Sequence, residues 1–374
     1  MISRLRMRIP FYDIKAQYTE LATQIDTVVH EVVSSGNYML GPHHNALETE
    51  IAALHGVKHA IGLNSGTDAL RIMLDASQIG HGDEVITTAF TFVASAETIV
   101  QTGATPVFVE IDPDTFMIDP ARIEAAITPR TKAIMPIHLF GQLSHILTIQ
   151  EIATKHGLLI LEDAAQAIGS HHHGVYAGKF GISSALSFYV TKNLGAAGDA
   201  GMILTDDDEI AYLCKSIRIH GMGRERYFYD HIGYTSRLDE VQAAILRVKL
   251  TKMLEWNEKR VAHASLYLEE LDCNLVRLPK TLPGNNHTWH QFTIQTPRRD
   301  ELKAYLAEKG VDSMIYYPVP LHFHKPYAEY GNGPGSLPIT EKVSKEVLSL
   351  PVHQHLQPEQ IQYVIEQVHG FFRA

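Results

Sequence analysis

The 374-residue sequence contains little cysteine and no long hydrophobic run. Its two cysteines, Cys214 and Cys273, provide no disulfide framework, which is typical of proteins that fold in a reducing compartment. No apolar run approaches the roughly 18 residues of a membrane span, so no membrane partner is expected. The basic start, MISRLRMRIPFYDIK, lacks the apolar core of a secretory signal. We therefore expect a cytoplasmic protein, with Met1 and Met7 as alternative first residues.

The sequence also has fewer basic than acidic residues and no clear metal-binding motif. The net charge of −10 argues against general binding to nucleic acid or anionic membranes. Histidine is frequent, with 22 residues, but adjacent side chains such as those of His171, His172 and His173 point in different directions. No second ligand cluster at zinc spacing accompanies them. The sequence thus predicts neither a metal site nor a nucleic-acid partner.

What the sequence does contain is a regular alternation of short apolar runs and helical patterns. Strands are predicted at 60–64, 84–89, 106–111, 132–137, 158–161, 184–188 and 201–205, and helices at 67–78, 92–102, 120–127 and 148–156. Such alternation indicates an α/β fold with a mostly parallel sheet and helices on both faces. Helices at 14–35 and 45–55 precede it, each ended by a glycine, and a helix at 207–219 follows.

The remaining segments suggest two domains. A loop at 220–236 precedes a long helix that starts near residue 238, and shorter elements up to residue 372 favour a small α+β unit. We therefore predict an N-terminal arm and large domain over residues 1–250 and a small C-terminal domain over residues 251–374. A chain of this length accommodates both.

Lys192 is the first residue that suggests chemistry. It lies between two short apolar runs and precedes the glycines at positions 195, 198 and 201. A lysine buried in this way loses its proton more readily, and its neutral amine forms a Schiff base with an aldehyde or ketone. An exposed, purely solvated lysine is the alternative reading of this residue.

Two further stretches supply complementary groups. Glu162 and Asp163 follow an apolar strand, at the strand end where open α/β sheets bind ligands. The run Ser65-Gly66-Thr67 lies between a strand and a helix, where backbone N–H groups suit a phosphate. An imine-forming lysine, a carboxylate for a pyridine nitrogen and a phosphate cradle are the parts that hold pyridoxal 5′-phosphate (PLP).

The sequence resembles the DegT-type nucleotide-sugar aminotransferases, which depend on PLP. The resemblance covers nearly the whole chain and rests on the runs PFYDIKAQY, SGTDAL, AFTFVAS, HLFGQ, LEDAAQAIG, SFYVTKNLGAAGDAG, HGMGRERY, SRLDEVQAAILRVKL, YYPVPLH and VLSLPVH. It implies PLP fold type I, which is similar to that of aspartate aminotransferase. The active-site run most resembles the branch that aminates carbon 3 of dTDP-3-keto-6-deoxyhexoses.

The resemblance also implies roles for individual residues. Lys192 matches the catalytic lysine. Matches to the cofactor contacts are Gly66, Thr67 and Ser187 for the phosphate, Asp163 for the pyridine nitrogen, Gln166 for the ring hydroxyl and Phe92 for stacking on the ring. Residues expected near the sugar are Tyr189, Tyr316, Tyr317 and His322.

One position departs from the family. Family members commonly carry an asparagine that reaches the phosphate of the neighbouring subunit, and here the matching residue is Thr235, whose side chain is shorter. The resemblance thus implies a homodimer whose shared phosphate contact is in doubt. Glutamate is the expected amino donor, and a nucleotide-linked keto sugar is the expected acceptor.

Three alternatives remain open from the sequence. A Rossmann oxidoreductase would need a GxGxxG motif after the first strand, and Asn64-Ser65-Gly66-Thr67 does not match it. A UDP- or GDP-linked sugar, aminated at carbon 3 or carbon 4, is a second alternative. The third is a PLP-binding regulatory protein of the same fold without catalysis.

Overall fold

The computed structural model describes residues 8–373, so the question of Met1 or Met7 as first residue lies outside the described part of the chain. The helices are α1 Ile14–Ser35, α2 Pro42–His55, α3 Gly66–Ala76, α4 Ala94–Gln101, α5 Ile146–His156, α6 Asp208–Ile217, α7 Glu240–Glu270, α8 Arg299–Glu308, α9 Pro338–Glu346 and α10 Pro358–Arg373. The strands are β1 His59–Leu63, β2 Glu84–Thr88, β3 Thr105–Val109, β4 Thr131–Ile134, β5 Leu159–Asp163, β6 His171–His172, β7 Val175–Tyr176, β8 Ser183–Ser187, β9 Gly201–Thr205, β10 Asn285–Asn286, β11 Phe292–Gln295 and β12 Val347–Leu350.

Seven strands form the central sheet in the order β1-β9-β8-β5-β4-β2-β3. Strand β9 is antiparallel to both of its neighbours, and the other pairs are parallel. Strands β1, β5 and β8 therefore run in the same direction and end at the same edge. That edge holds the predicted phosphate loop, Asp163 and the loop that carries Lys192. The predicted α/β fold with a mostly parallel sheet is confirmed.

Apolar residues from both faces of the sheet pack against helices. Helices α2, α5 and α7 cover one face through residues such as Leu47, Ile149 and Leu246. Helices α3, α4 and α6 cover the other through residues such as Met73 and Cys214. Since both faces are buried, the strands are apolar without alternation, as expected for a parallel sheet.

The helix predicted at 120–127 is wrong. The structure has two short 3-10 turns there, Pro120–Arg122 and Glu124–Ala126. Only Ile123 of this segment is buried, so one apolar side chain anchors it. Pro129 disfavours helical dihedrals in Thr128, so no helix continues past residue 127.

Helix α7 runs without interruption through the predicted domain boundary at residue 250. Its first half packs against α1 and α2, and its second half contacts α10. Around that second half lies a separate core that includes Tyr267, Phe292 and Val364. Ile9, close to the N-terminus, is buried in this same core and bridges to Val311. The division into residues 1–250 and 251–374 therefore remains a prediction, and its boundary falls inside one helix.

No helix within residues 8–373 has the length and apolar character needed to cross a membrane.

Candidate active site

A cleft of about 440 Å³ opens at the carboxyl edge of the central sheet. Its size lies in the range usual for small-molecule and cofactor sites. The walls come from the segments that follow β1, β2, β5 and β8, from the N-terminal segment and from the segments around residues 290 and 316. Ten residues predicted from the sequence line this cleft: Gly66, Thr67, Phe92, Asp163, Gln166, Ser187, Tyr189, Lys192, Tyr316 and Tyr317.

Lys192 lies in the turn after β8, where its backbone N–H donates to the carbonyl of Tyr189 at 2.8 Å. The side chain enters the cleft. Burial lowers the pKa of Lys192 to about 8, and the negative charge of Asp163 opposes that decrease. At pH 7 about a tenth of such an amine is deprotonated, far more than of an exposed lysine, and this is the form that attacks a carbonyl carbon.

Asp163 ends β5 and faces Lys192 from the sheet edge. Its Oδ2 accepts a hydrogen bond from Ser95 Oγ at 2.7 Å, and its Oδ1 accepts one from the Ala165 N–H at 3.2 Å. Burial raises the pKa of Asp163, while these hydrogen bonds and the charge of Lys192 oppose the increase. A buried carboxylate of this kind is stabilised by a cationic partner in the cleft.

The neighbouring Glu162 points to the opposite side of the sheet. It accepts hydrogen bonds from His138 Nε2 and from the N–H groups of Gly178, Phe180 and Gly181, each at 2.9 Å. Burial opposes its ionisation, but the bond to His138, the charge of His138 and the N–H donors outweigh that effect, so the pKa of Glu162 lies below its usual value. Glu162 is therefore fully partnered by the protein.

The phosphate cradle forms where α3 begins. Ser65 accepts a hydrogen bond from the Asp68 N–H at 3.1 Å, which caps the helix. The N–H groups of Gly66 and Thr67 belong to the first helical turn and have no partner within the helix. A Cβ on Gly66 would lie 2.6 Å from the Cβ of Ser187, so only glycine lets the two segments approach this closely. Open N–H groups beside a serine hydroxyl at a helix N-terminus suit a phosphate.

Gln166 has a fixed orientation. Its Oε1 accepts a hydrogen bond from the Phe140 N–H at 2.8 Å, so its Nε2 donates to the hydroxyl of Tyr317 at 3.1 Å. Phe92 is 55% exposed and its ring centroid lies 6.5 Å from that of Tyr317. Phe92 precedes α4 rather than lying inside a helix as predicted, which leaves its ring free to form a wall of the cleft.

Two predicted site residues lie outside this cleft. His322 is buried beside Glu341, with 3.4 Å between His322 Nε2 and Glu341 Oε1, so the geometry does not support its predicted contact with the sugar. Thr235 is exposed, and its hydroxyl lies 2.9 Å from His220 Nε2. A contact from Thr235 to a phosphate would have to reach a second copy of the chain.

Polar residues that the sequence analysis did not single out also line the cleft, among them Ser95, Tyr12, His290 and Gln291. Ser95 and Tyr12 belong to the recognised runs AFTFVAS and PFYDIKAQY, so a signal for them existed in the sequence. His290 and Gln291 follow Trp289 in a segment without a recognised motif. Only tertiary folding brings that segment to Lys192.

Residues 19–369 match the DegT/DnrJ/EryC1/StrS aminotransferase family. The chain is 50% identical over 370 residues to the pleiotropic regulatory protein of Geobacillus stearothermophilus, with 98% of this chain and 99% of that protein covered. It is 44% identical to the dTDP-3-amino-3,4,6-trideoxy-alpha-D-glucose transaminase of Streptomyces venezuelae, covering 96% and 95%. It is also 44% identical to the UDP-N-acetyl-3-dehydro-alpha-D-glucosamine 3-aminotransferase of Acidithiobacillus ferrooxidans, covering 94% and 95%.

Solved structures agree with these sequence matches. The fold is similar to that of S. venezuelae DesV, with a TM-score of 0.95 and 43% identity over 98% of this chain and 99% of that one. It is also similar to NtdA of Bacillus subtilis, solved with bound pyridoxamine phosphate, with a TM-score of 0.93 and 31% identity over 100% of this chain and 87% of that one.

The fold and the cleft define a PLP-dependent aminotransferase. The chain belongs to the DegT/DnrJ/EryC1/StrS aminotransferase family. Its cleft fits the cofactor: the open N–H groups of Gly66 and Thr67 suit the phosphate, the buried Asp163 carboxylate suits a protonated ring nitrogen, and the Lys192 amine suits the aldehyde.

Proposed function

We propose that this aminotransferase moves the amino group of glutamate to carbon 3 of a dTDP-linked 3-keto-6-deoxyhexose. The proposal rests on the placement of Lys192 in one cleft with the Asp163 carboxylate and the phosphate cradle. Relatives that are 44% identical over most of their length carry names that specify carbon 3 of a nucleotide-linked sugar, which supports the choice of substrate and carbon.

Lys192 and Asp163 divide the chemical work. When bound, PLP supplies an electron-withdrawing ring that stabilises negative charge on the reacting carbon. Asp163, held by Ser95, keeps a proton on the ring nitrogen. Lys192, with a pKa of about 8, accepts a proton from the substrate carbon and returns it near neutral pH. Ser187 and the cradle of Gly66 and Thr67 hold the phosphate in place while the proton moves.

Aromatic side chains at the cleft mouth would orient the sugar. Tyr189 is 48% exposed, and Tyr316 and Tyr317 are half-buried on the facing wall. Rotation of the hexose about its nucleotide would bring carbon 3 or carbon 4 to the Lys192 amine, and the reacting atoms must approach within about 3–3.5 Å. These tyrosines are therefore the residues we propose for the choice of carbon.

We further propose that the enzyme is a homodimer. Large apolar side chains are strongly exposed in the loop 220–236, and Ile232 is 91% exposed. A contiguous exposed apolar surface is typical of a protein–protein contact. In such a dimer Thr235 and Tyr234 of one subunit would lie beside the phosphate of the other. A cytoplasmic location remains a prediction from the low cysteine content.

Two alternatives keep specific support. A UDP-linked or GDP-linked sugar is one, and the A. ferrooxidans relative is named for a UDP-linked substrate. A non-catalytic regulator is the other, because the G. stearothermophilus relative is named a pleiotropic regulatory protein. The intact Lys192, Asp163 and Gln166 in one cleft support catalysis instead.

Parallel incubations test these proposals. The protein is incubated with glutamate and with dTDP-linked 3-keto, dTDP-linked 4-keto or UDP-linked 3-keto sugars, and NMR identifies the aminated carbon. We expect a 3-amino dTDP sugar and 2-oxoglutarate. Amination at carbon 4 alone would contradict the assignment of the carbon, and preference for the UDP sugar would contradict that of the nucleotide. A regulator without catalysis would not convert its bound cofactor to the amine form with glutamate.

A further inference from the structure

A chain of hydrogen bonds connects the residue after Lys192 with the opposite wall of the cleft. Its members are Asn257, Asn193, His290, Gln291 and Tyr12, which we call the polar relay. All except Tyr12 are buried, and Tyr12 is half-buried in the cleft wall. Nothing in the mechanism above uses the relay. Its geometry nevertheless determines which atoms donate and which accept.

Backbone carbonyls fix the first two amides. Asn257 Nδ2 donates to the carbonyl of Ile168 at 3.2 Å, so Asn257 Oδ1 faces Asn193. Asn193 Nδ2 donates to that oxygen at 2.8 Å and to the carbonyl of Thr288 at 2.9 Å. A carbonyl oxygen only accepts, so neither amide can be reversed. Asn193 Oδ1 is therefore turned towards His290.

This arrangement selects one form of His290. Its Nδ1 lies 3.1 Å from Asn193 Oδ1, so Nδ1 carries a proton. Burial, reinforced by the positive charges of Lys192 and Arg260, lowers the pKa of His290 well below its usual value, and the ring is neutral. Its Nε2 then has a lone pair, which lies 3.4 Å from Gln291 Nε2.

The donor role of Gln291 Nε2 fixes the acceptor role of the Tyr12 hydroxyl. Its Nε2 donates one N–H to His290 and the other to the hydroxyl of Tyr12 at 2.8 Å. Because the Tyr12 oxygen already accepts from Gln291, its own proton is directed elsewhere, towards Tyr316 at 3.4 Å and the cleft. Burial, more than the contact with Tyr316, raises the pKa of Tyr12, so the hydroxyl stays protonated.

The surroundings of Tyr12 favour an anion. Arg260 is 4% exposed and donates to the carbonyl of Trp289 at 3.3 Å, and its positive charge lowers the cost of negative charge at Tyr12. The adjacent Asp13 caps α1, where its carboxylate accepts a hydrogen bond from the Ala16 N–H at 2.8 Å.

We propose that Tyr12 donates a hydrogen bond to a carboxylate of the amino donor, and that His290 is a positioning residue that acts through Gln291 to aim this hydroxyl. The proposal deepens the proposed function, since it assumes that glutamate is the donor. The contact would distinguish the substrates by their carboxylates, which the donor carries and the proposed keto sugar lacks.

Replacement of the hydroxyl tests the contact. In Tyr12→Phe we expect the KM for glutamate to rise about tenfold, as for the loss of a hydrogen bond to a charged group, with the KM for the keto sugar changed less than twofold. Tyr18→Phe, the same change six residues along the chain and outside the cleft, is the matched control and should leave both values unchanged.

An equilibrium measurement keeps the test independent of turnover. Glutarate, which has the carboxylates of glutamate but no amine, is titrated into the holoenzyme by calorimetry. We expect its Kd to weaken about tenfold in Tyr12→Phe and to remain unchanged in Tyr18→Phe. Unchanged glutarate binding in Tyr12→Phe would overturn the proposal, as would a rise in the KM of the sugar alone. These results hold even if no keto sugar is aminated, which would instead refute the proposed function.

A double-mutant cycle tests the positioning role. If His290 acts only through Tyr12, His290→Phe weakens glutarate binding, and the double variant with Tyr12→Phe is no weaker than Tyr12→Phe alone. Additive losses would overturn this role. Should His290→Phe fail to fold, Gln291→Met interrupts the relay one step later with the same expectation. In the unchanged protein, ¹⁵N chemical shifts should show His290 protonated on Nδ1 alone between pH 6 and 9; protonation on Nε2 would refute the relay.

Discussion

Two buried carboxylates at the end of β5, one on each side of the sheet, differ in their hydrogen-bond donors and in the direction of their pKa shift. Glu162, on one side, has four hydrogen-bond donors from the protein and a lowered pKa. Asp163, on the other, has two donors and a raised pKa, and it faces Lys192. Adjacent residues in one strand point to opposite faces, so one residue serves the structure and the next serves the cleft.

The comparison shows how to distinguish a structural carboxylate from a functional one. Burial alone does not, because both are less than 10% exposed. The number of protein donors does, since a carboxylate that the fold leaves partly unpartnered is stabilised only when a ligand brings a positive group. Three of the four variants below separate the two sides and the fourth tests the contact with a second copy of the chain, in order of decreasing effect.

Removal of the Lys192 amine should have the largest effect. Lys192→Ala is expected to lower turnover by about 10⁴-fold or more, because both the nucleophile and the proton carrier are lost. PLP should still bind weakly through the phosphate cradle. Borohydride reduction followed by mass spectrometry should place the cofactor on Lys192 in the unchanged protein. Lys179→Ala, at an exposed lysine, is the control, and a cofactor adduct on any other lysine would refute the assignment.

On the cleft side, Asp163→Asn keeps the shape and removes the charge. We expect kcat to fall about 10²–10³-fold, because the ring nitrogen loses its anionic partner, with little change in the melting temperature. Stopped-flow measurement of the half-reaction with glutamate and thermal unfolding provide the two values. A variant that lost stability and kept its rate would make Asp163 a structural residue.

On the opposite side of the sheet, Glu162→Gln should lower the stability and leave the rate nearly unchanged. The amide presents donors to N–H groups that are donors themselves, which we expect to cost about 3 kcal/mol of unfolding free energy. The rate per folded molecule should change little. Folding lowers the pKa of Glu162, so the ionised carboxylate stabilises the native state. This contribution to the free energy of unfolding is complete above the unfolded-state pKa of about 4.3 and is lost as the pH falls through the lower folded-state pKa. Acid unfolding of the variant should therefore lack this component.

The smallest effect is expected for Thr235→Asn. This variant tests the contact of Thr235 with a second copy of the chain, and neither carboxylate is changed. A longer side chain that reaches the neighbour's phosphate should tighten PLP binding about two- to tenfold, as one more hydrogen bond does. Equilibrium dialysis of PLP measures this, with Thr235→Val as the control that removes the hydroxyl. Equal affinity in all three proteins would show that Thr235 does not face a phosphate.

The sequence was most informative where chemistry follows from local order. Lys192 between two apolar runs and Asp163 at a strand end could be assigned before folding, because strand ends of a parallel sheet meet at one edge. Glycine endings such as Gly36, with a φ of 70°, marked helix limits equally well.

The rest depends on distant parts of the chain. Tyr12 and His290 are far apart in sequence and meet only through the packing of the N-terminal segment on the C-terminal core. The predicted sugar contact of His322 stays a prediction, and its buried place beside Glu341 shows that a histidine in a loop can face inwards to a carboxylate as easily as outwards to a ligand. Neither hydrophobic periodicity nor the pattern of turn residues predicts whether such a side chain faces inwards or outwards.

Helix α7 has a mechanical consequence for the cleft. Its 31 residues contain no glycine or proline, the usual points at which a helix bends. This one helix contacts both walls: Lys249 and Asn257 bond to the carbonyl of Gly195 and to Asn193 beside Lys192, and Arg260 donates to the carbonyl of Trp289 at 3.3 Å beside His290. A hinge between the two walls would have to break that stiff connection. The width of the opening is thus set at folding, and substrates of different bulk are accommodated by rotation of rim side chains such as Phe92 and Tyr189.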